Sequence, residues 1–250
     1  MAGAALDLRM PTIRAVLFDF GGTLYDYATL APAEAESLVE LARWAGVDAE
    51  PLAVLRAHRA AMRRVFHGYL PRRFYLHRDL FRDALIGMLE DLGAAPQTEH
   101  LDRYRALQWQ RHQRDFTLRE GVVETLRALR AHGVHLGIVS NIDEDQLAHL
   151  LALGQLEPHF DSILSSEEAR SCKPDRGIFT EALRRAGCGA DEALFVGDTI
   201  AQDIAGANRA GMRSVLLWHR DDRAPPLEDP TPDHVIRRIP EVLELVANGT

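Results

Sequence analysis

The chain has 250 residues, 46% of them hydrophobic and 26% charged, with a formal net charge of −8. That length gives one or two domains, and that balance gives an ordinary globular chain with a sizeable core. The acidic sign argues against nucleic acid as a partner, since general nucleic-acid binders are usually basic.

In chain order, residues 14–20 (RAVLFDF) form a nearly all-apolar run closed by Gly21-Gly22, the pattern of a strand buried on both faces. Residues 28–116 contain no convincing strand. Their apolar residues recur at helical spacing (Leu38, Leu41, Ala42, Ala45; Leu52, Leu55, Met62, Phe66; Leu80, Leu85, Met88, Leu89, Leu92), which predicts several helices. A helix over 122–132 stops at Gly133 and precedes a strand at 134–140. Then follow a helix at 143–153, a strand at 160–164, a helix at 176–186 and a strand at 193–196. A helix at 201–210, a strand at 213–218 and a short strand at 234–236 complete the set. Gly187 and Gly211 stand where helix C-caps favour glycine. Residues 221–233, with four of the twelve prolines, read as a loop. This alternation predicts a doubly wound parallel α/β sheet built from residues 1–27 and 117–250, with an all-helical domain of residues 28–116 inserted.

Residues 1–10 lack the apolar run of a signal peptide, and no window approaches 18 uninterrupted apolar residues, so no membrane association is expected. Two cysteines, Cys172 and Cys188, make neither a disulfide framework nor a zinc cluster, and a reducing, cytoplasmic setting is expected.

Open α/β sheets place their sites at the carboxyl ends of the strands. Here those ends carry Asp19, Gly21, Gly22 and Thr23 after the first strand, Ser140-Asn141 after the second, and Gly197-Asp198-Thr199 with Asp203 after the fourth. Lys173 follows the third strand, and it is the only lysine among 29 basic residues. Asp19, Asp198 and Asp203 in one cleft could not all stay ionised without a cation, and oxygen-only ligands favour magnesium. Lys173, Ser140 and the backbone around 21–23 would supply donors for a phosphate. A hard metal, an anion pocket and a carboxylate nucleophile suit phosphoryl transfer through an aspartyl-phosphate.

These segments resemble the motifs of the haloacid dehalogenase (HAD) superfamily in order and spacing. VLFDFGGTL is similar to the first motif, IVSN to the second, CKPD to the third and FVGDTIAQD to the fourth. The resemblance covers nearly the whole chain and includes the helical insert, which matches that superfamily's cap domain. It implies a magnesium-dependent phosphohydrolase acting on a small phosphorylated metabolite. Asp19 would be the nucleophile, with Lys173 neutralising it and the substrate. Asp19, the Gly21 carbonyl, Asp198 and Asp203 would hold the metal. Gly22, Thr23, Ser140 and Asn141 would bind the phosphoryl group.

One departure matters. Most phosphatases of the superfamily carry a second aspartate two residues after the nucleophile, which moves protons, and this chain has Gly21. General acid–base catalysis is typically worth about 10²–10⁴-fold. Either the leaving group needs little protonation, as in acyl or aryl phosphates, or another group substitutes. Asp26, His67, His77 and His112 are the candidates. The alternatives are a phosphate-binding protein with weak or no activity and a metal-independent 2-haloacid dehalogenase. A phosphonate-cleaving enzyme is excluded, because it needs a cap lysine for a Schiff base and the insert has none.

The insert is rich in arginine. Eight arginines and one acid, Asp79, lie between Arg56 and Arg82. Most read as a solvated helix face whose stems pack over its apolar edge. Among Arg63, Arg64, Arg72 and Arg73, the last two are the candidates to reach the cleft and hold a second anionic group of the substrate.

Overall fold

A computed structural model describes residues 12–219, 224–225 and 229–248. The stretch at residues 1–10 lies outside the described residues, as do 221–223 and 226–228 of the loop expected over 221–233. The elements run β1 (Ala15–Phe18), α1 (Tyr27–Trp44), α2 (Pro51–Tyr69), α3 (His77–Asp91), α4 (Thr98–Asp115), α5 (Val122–Ala131), β2 (His135–Ser140), α6 (Glu144–Gly154), β3 (Ser162–Ser165), α7 (Ser166–Ala169), α8 (Arg176–Ala186), β4 (Ala193–Gly197), α9 (Ala205–Ala210), β5 (Arg213–Leu217), β6 (His234–Ile236) and α10 (Val242–Ala247).

All strand pairs are parallel, in the order β3-β2-β1-β4-β5-β6. β1 lies between β2 and β4, and every one of its residues is buried, so its sequence is apolar without alternation. Leu126 and Leu129 of α5, Leu147 and Leu150 of α6 and Val242 of α10 cover one face, against Val16, Phe18 and Ile138. Ile178 and Phe179 of α8 and Ala207 of α9 cover the other, against Ala15, Leu17 and Phe195. This is a Rossmann-like core.

Helices α1–α4 interrupt it as an inserted cap. They share a separate core of Leu38, Leu41, Val54, Ala61, Met88, Leu89 and Leu101. No side chain of its own caps the start of α3. The core residue Asp143 does so instead, its carboxylate accepting from the backbone N–H groups of His77 and Arg78 at 2.9 and 2.6 Å. Arg78 also reaches Glu167 of α7 at 2.5 Å.

The helix expected over 201–210 resolves into two pieces, a π-helical turn at Ile200–Ile204 and then α9. Such turns are often found at functional sites, and this one carries Asp203. Among the described residues no helix is long and apolar enough to cross a membrane.

Candidate active site

The carboxyl edge of the sheet gathers the polar residues of four loops. Asp19 follows β1 directly. Its N–H donates to the Val196 carbonyl at 2.8 Å, continuing the pairing with β4 and fixing the carboxylate. Asp19 Oδ1 accepts from Lys173 Nζ at 2.6 Å and from Ser140 Oγ at 3.2 Å, while Oδ2 accepts from Thr23 Oγ1 at 3.2 Å. Lys173 Nζ also donates to Asp203 Oδ1 at 2.6 Å. The backbone N–H of Thr199 donates to the other oxygen of Asp203 at 2.9 Å. Asp19, Asp198 and Asp203 each offer a carboxylate oxygen within 4.8 Å of the others.

The electrostatics follow from this crowding. Burial, then the charges of Asp19 and Asp203, push the Asp198 carboxyl up to about 7. Burial, with Asp19 close by, lifts Asp203 to about 6 against the pull of Lys173. Burial alone would depress the lysine, but the Asp19 and Asp203 carboxylates outweigh it and hold the ammonium charged. One ammonium thus faces three carboxylates. An all-oxygen donor set with uncompensated negative charge fits a hard divalent cation.

Other expected residues take different positions. The Asn141 side chain bonds the Lys173 backbone twice, accepting from its N–H at 2.7 Å and donating to its carbonyl at 3.0 Å. It therefore clamps the lysine loop. The Gly22 N–H is spent on the Tyr25 carbonyl at 2.9 Å and is not free for a phosphate. Gly22 is required by space and conformation. Its φ is +84°, and a Cβ there would fall 2.8 Å from Asp198 Cγ.

A cavity of about 300 Å³, of a size for a small metabolite, lies between the cap and the core segments at Tyr25, Tyr27 and residues 143–146; Asp19, Ser140, Lys173, Asp198 and Asp203 are not among its lining residues. Arg78, Arg82 and Arg105 line it, whereas Arg63, Arg64, Arg72 and Arg73 do not. The chain leaving α2 carries Arg72 and Arg73 outward. Arg72 stacks on the Tyr69 ring, Arg73 pairs with Asp175 at 3.3 Å, and Arg64 pairs with Asp91 at 2.7 Å. Arg63 and His67 border a separate groove on the cap.

The candidate substitutes at Gly21 divide likewise. Asp26 caps α1 through the Ala28 N–H and pairs with Arg119, so its carboxylate is occupied. His77 is buried at the start of α3, and burial pushes it down to about 4. His112 lines the cavity, and burial lowers it too. Tyr25 and Tyr27, which also line the cavity, escaped the sequence reading because they carry no charge and resemble core aromatics. Their signal was the missing side chain at Gly21.

Residues 13–211 match the family model of haloacid dehalogenase-like hydrolases. A glyceraldehyde 3-phosphate phosphatase of Methanopyrus kandleri is 33% identical over 242 residues, covering 94% of this chain and 97% of that one. The magnesium-bound HAD hydrolase YfnB of Bacillus subtilis superposes with a TM-score of 0.76 at 20% identity, over 94% of this chain and 99% of that one. A 2-haloacid dehalogenase of Pseudomonas syringae superposes at 0.70 with 28% identity, over 96% of this chain and all of that one.

Proposed function

This chain belongs to the haloacid dehalogenase-like hydrolases, and from that premise we propose that it is a magnesium-dependent phosphohydrolase acting on a small phosphorylated metabolite. The observation that carries the proposal is the set of three carboxylates, Asp19, Asp198 and Asp203, closing on Lys173.

Asp19 is the nucleophile. Its Oδ2 carries only the long bond from Thr23, so that oxygen is free to attack phosphorus and displace the ester oxygen, which leaves with the electron pair of the broken bond; water then hydrolyses the aspartyl-phosphate, returning Asp19 and releasing phosphate. Ser140 and Lys173 stand beside Asp19, where both can turn donors toward the transferred oxygens as charge develops there. Asn141 holds the lysine backbone in place. Magnesium, held by Asp19, the Gly21 carbonyl, Asp198 and Asp203, would screen the repulsion between carboxylate and phosphoryl group. Closure of the cap would exclude water from the cavity. The substrate's remaining atoms lie in that cavity beside Arg78, Arg82 and Arg105. Arg78 and Arg105 are already paired with acids, Glu167 and Asp145. This leaves Arg82 as the better candidate for a second anionic group. The activity of the Methanopyrus relative on a triose phosphate supports a substrate of that size.

Asp198 and Asp203 count against metal-independent dehalogenation, since extra carboxylates beside the nucleophile oppose its attack. The test is a screen of phosphorylated metabolites with and without magnesium, with Asp19→Asn as blank. Turnover that needs both magnesium and Asp19 is expected. Chloride release from a 2-chloro acid in EDTA would replace this function with dehalogenation. Tight phosphate binding with no turnover would replace it with a binding role.

A further inference from the structure

The backbone at Gly21 does not require glycine, since it is not among the residues with positive φ. What keeps a side chain out is occupied space. A Cβ on Gly21 would land on the Tyr27 hydroxyl, 2.7 Å from Tyr27 Cζ and 3.2 Å from Tyr25 Oη. The phenol of Tyr27 therefore fills the volume that a residue-21 side chain would use, two residues along from Asp19. Tyr27 is exposed as a residue, while its hydroxyl lies against Gly21.

The loop that delivers it is fixed at several points. Gly22 N–H donates to the Tyr25 carbonyl, and Arg119 N–H donates to the Leu24 carbonyl, each at 2.9 Å. The Arg119 guanidinium binds both the Gly22 carbonyl and the Asp26 carboxylate. Tyr25 is buried against Phe20 and Phe116, and its ring meets that of Tyr27 edge-on at 5.2 Å. Both hydroxyls crowd the Gly21 Cβ position, and both sit in the field of Asp19 and Asp198. The Tyr27 hydroxyl can rotate toward the cavity that Tyr27 lines.

We propose that the Tyr27 hydroxyl is a catalytic residue that donates a hydrogen bond to the leaving-group oxygen, with Tyr25 as the positioning residue that holds it there. The assignment rests on the phosphohydrolase function above. As the bond from phosphorus to the leaving oxygen breaks, its electron pair stays on that oxygen. A donor already in place stabilises the charge without reorganisation. The other donors at Asp19, namely Lys173, Ser140 and Thr23, bond the nucleophile itself.

The experiment is a series of phosphate monoesters, from 4-nitrophenyl through phenyl to alkyl, hydrolysed with magnesium by wild type, Tyr27→Phe, Gly21→Ala and the double variant. A donor to the leaving oxygen matters most where that oxygen is most basic. Tyr27→Phe is expected to lose a few-fold on the nitrophenyl ester and about 10- to 100-fold on alkyl esters, the range of a hydrogen bond to a charged group. Its rates then fall more steeply with leaving-group pKa than those of wild type. Gly21→Ala puts a methyl where the hydroxyl sits, so it should swing the phenol out and reproduce the same steep series. The double variant should be no worse than either single one. A purely structural role would lower all esters alike. Slopes that stay parallel to wild type, or losses that multiply in the double variant, would overturn the assignment. A wild type that hydrolyses none of the esters would instead refute the phosphohydrolase function, and this assignment with it.

Discussion

Replacing Asp198 by asparagine should make the metal-free protein more stable while making it inactive. The Asp198 carboxyl is raised from 3.8 to about 7, first by burial and then by Asp19 and Asp203. A carboxyl whose folded pKa lies above its unfolded one binds its proton more tightly in the folded state. It therefore contributes stability that is complete below the unfolded value and lost as pH rises through the folded value. From pH 5 to pH 7 that loss runs at about 1.4 kcal/mol per unit, or about 3 kcal/mol in total, and it levels off above pH 7. For a chain of this size each kcal/mol moves Tm by about 2–4 °C, so the wild type in EDTA should melt roughly 6–12 °C lower at pH 8 than at pH 5 through this group alone. Asp198→Asn keeps the shape and removes the ionisation. The assay is thermal unfolding followed by circular dichroism, in EDTA at both pH values and again at pH 8 with saturating magnesium. The variant should melt above wild type at pH 8 without metal. Magnesium should raise only the wild type substantially. A variant that melts below wild type at pH 8 in EDTA, or that keeps the same pH dependence, would refute the electrostatic account.

Two further outcomes follow from the same geometry. Lys173→Met removes the ammonium 2.6 Å from both Asp19 and Asp203 and should lower kcat about 10²–10³-fold or more, measured on 4-nitrophenyl phosphate with protein of unchanged circular dichroism; near wild-type turnover would remove the lysine from the reaction. Arg72→Ala and Arg73→Ala should leave KM within about twofold, because neither side chain lines the cavity, whereas Arg82→Ala should raise KM about tenfold for a substrate with a second anionic group; the reverse ranking, read from steady-state kinetics on the screened substrate, would relocate the anion site.

Much of the core was legible because of how it is buried. Strands covered on both faces read as short apolar runs, and β1, β2, β4 and β5 each sit within a residue or two of those runs. The charged residues at their ends were legible for the complementary reason. Acids placed directly after a buried strand, as Asp19 and Asp198 are, have few places to go except the strand-end cleft. The cap was harder. Helical periodicity identifies a helix but not which way its outer face turns in the fold, so Arg72 and Arg73 were indistinguishable in sequence from Arg78 and Arg82. Only the turn after α2, and the Asp175 carboxylate that takes Arg73, separate them. Tyr27 was invisible for another reason. Its contribution is the space it takes from Gly21, and a sequence shows the vacancy but not the occupant. The break between the π turn and α9 was also hidden, since Gly206 alone inside a helical pattern does not specify a change of helix type.

The Asp143 carboxylate at the head of α3 makes the stability of a cap helix depend on a residue of the other domain. An N-cap is typically worth about 1 kcal/mol, and α3 has no cap of its own to fall back on. A motion that separated the two domains would take the acceptor from the first turn of α3 and part Arg78 from Glu167 together. Arg78 lines the cavity from that first turn. Such an opening would therefore loosen one wall of the cavity at the same time. Hydrogen exchange at the start of α3 would report how often that contact breaks.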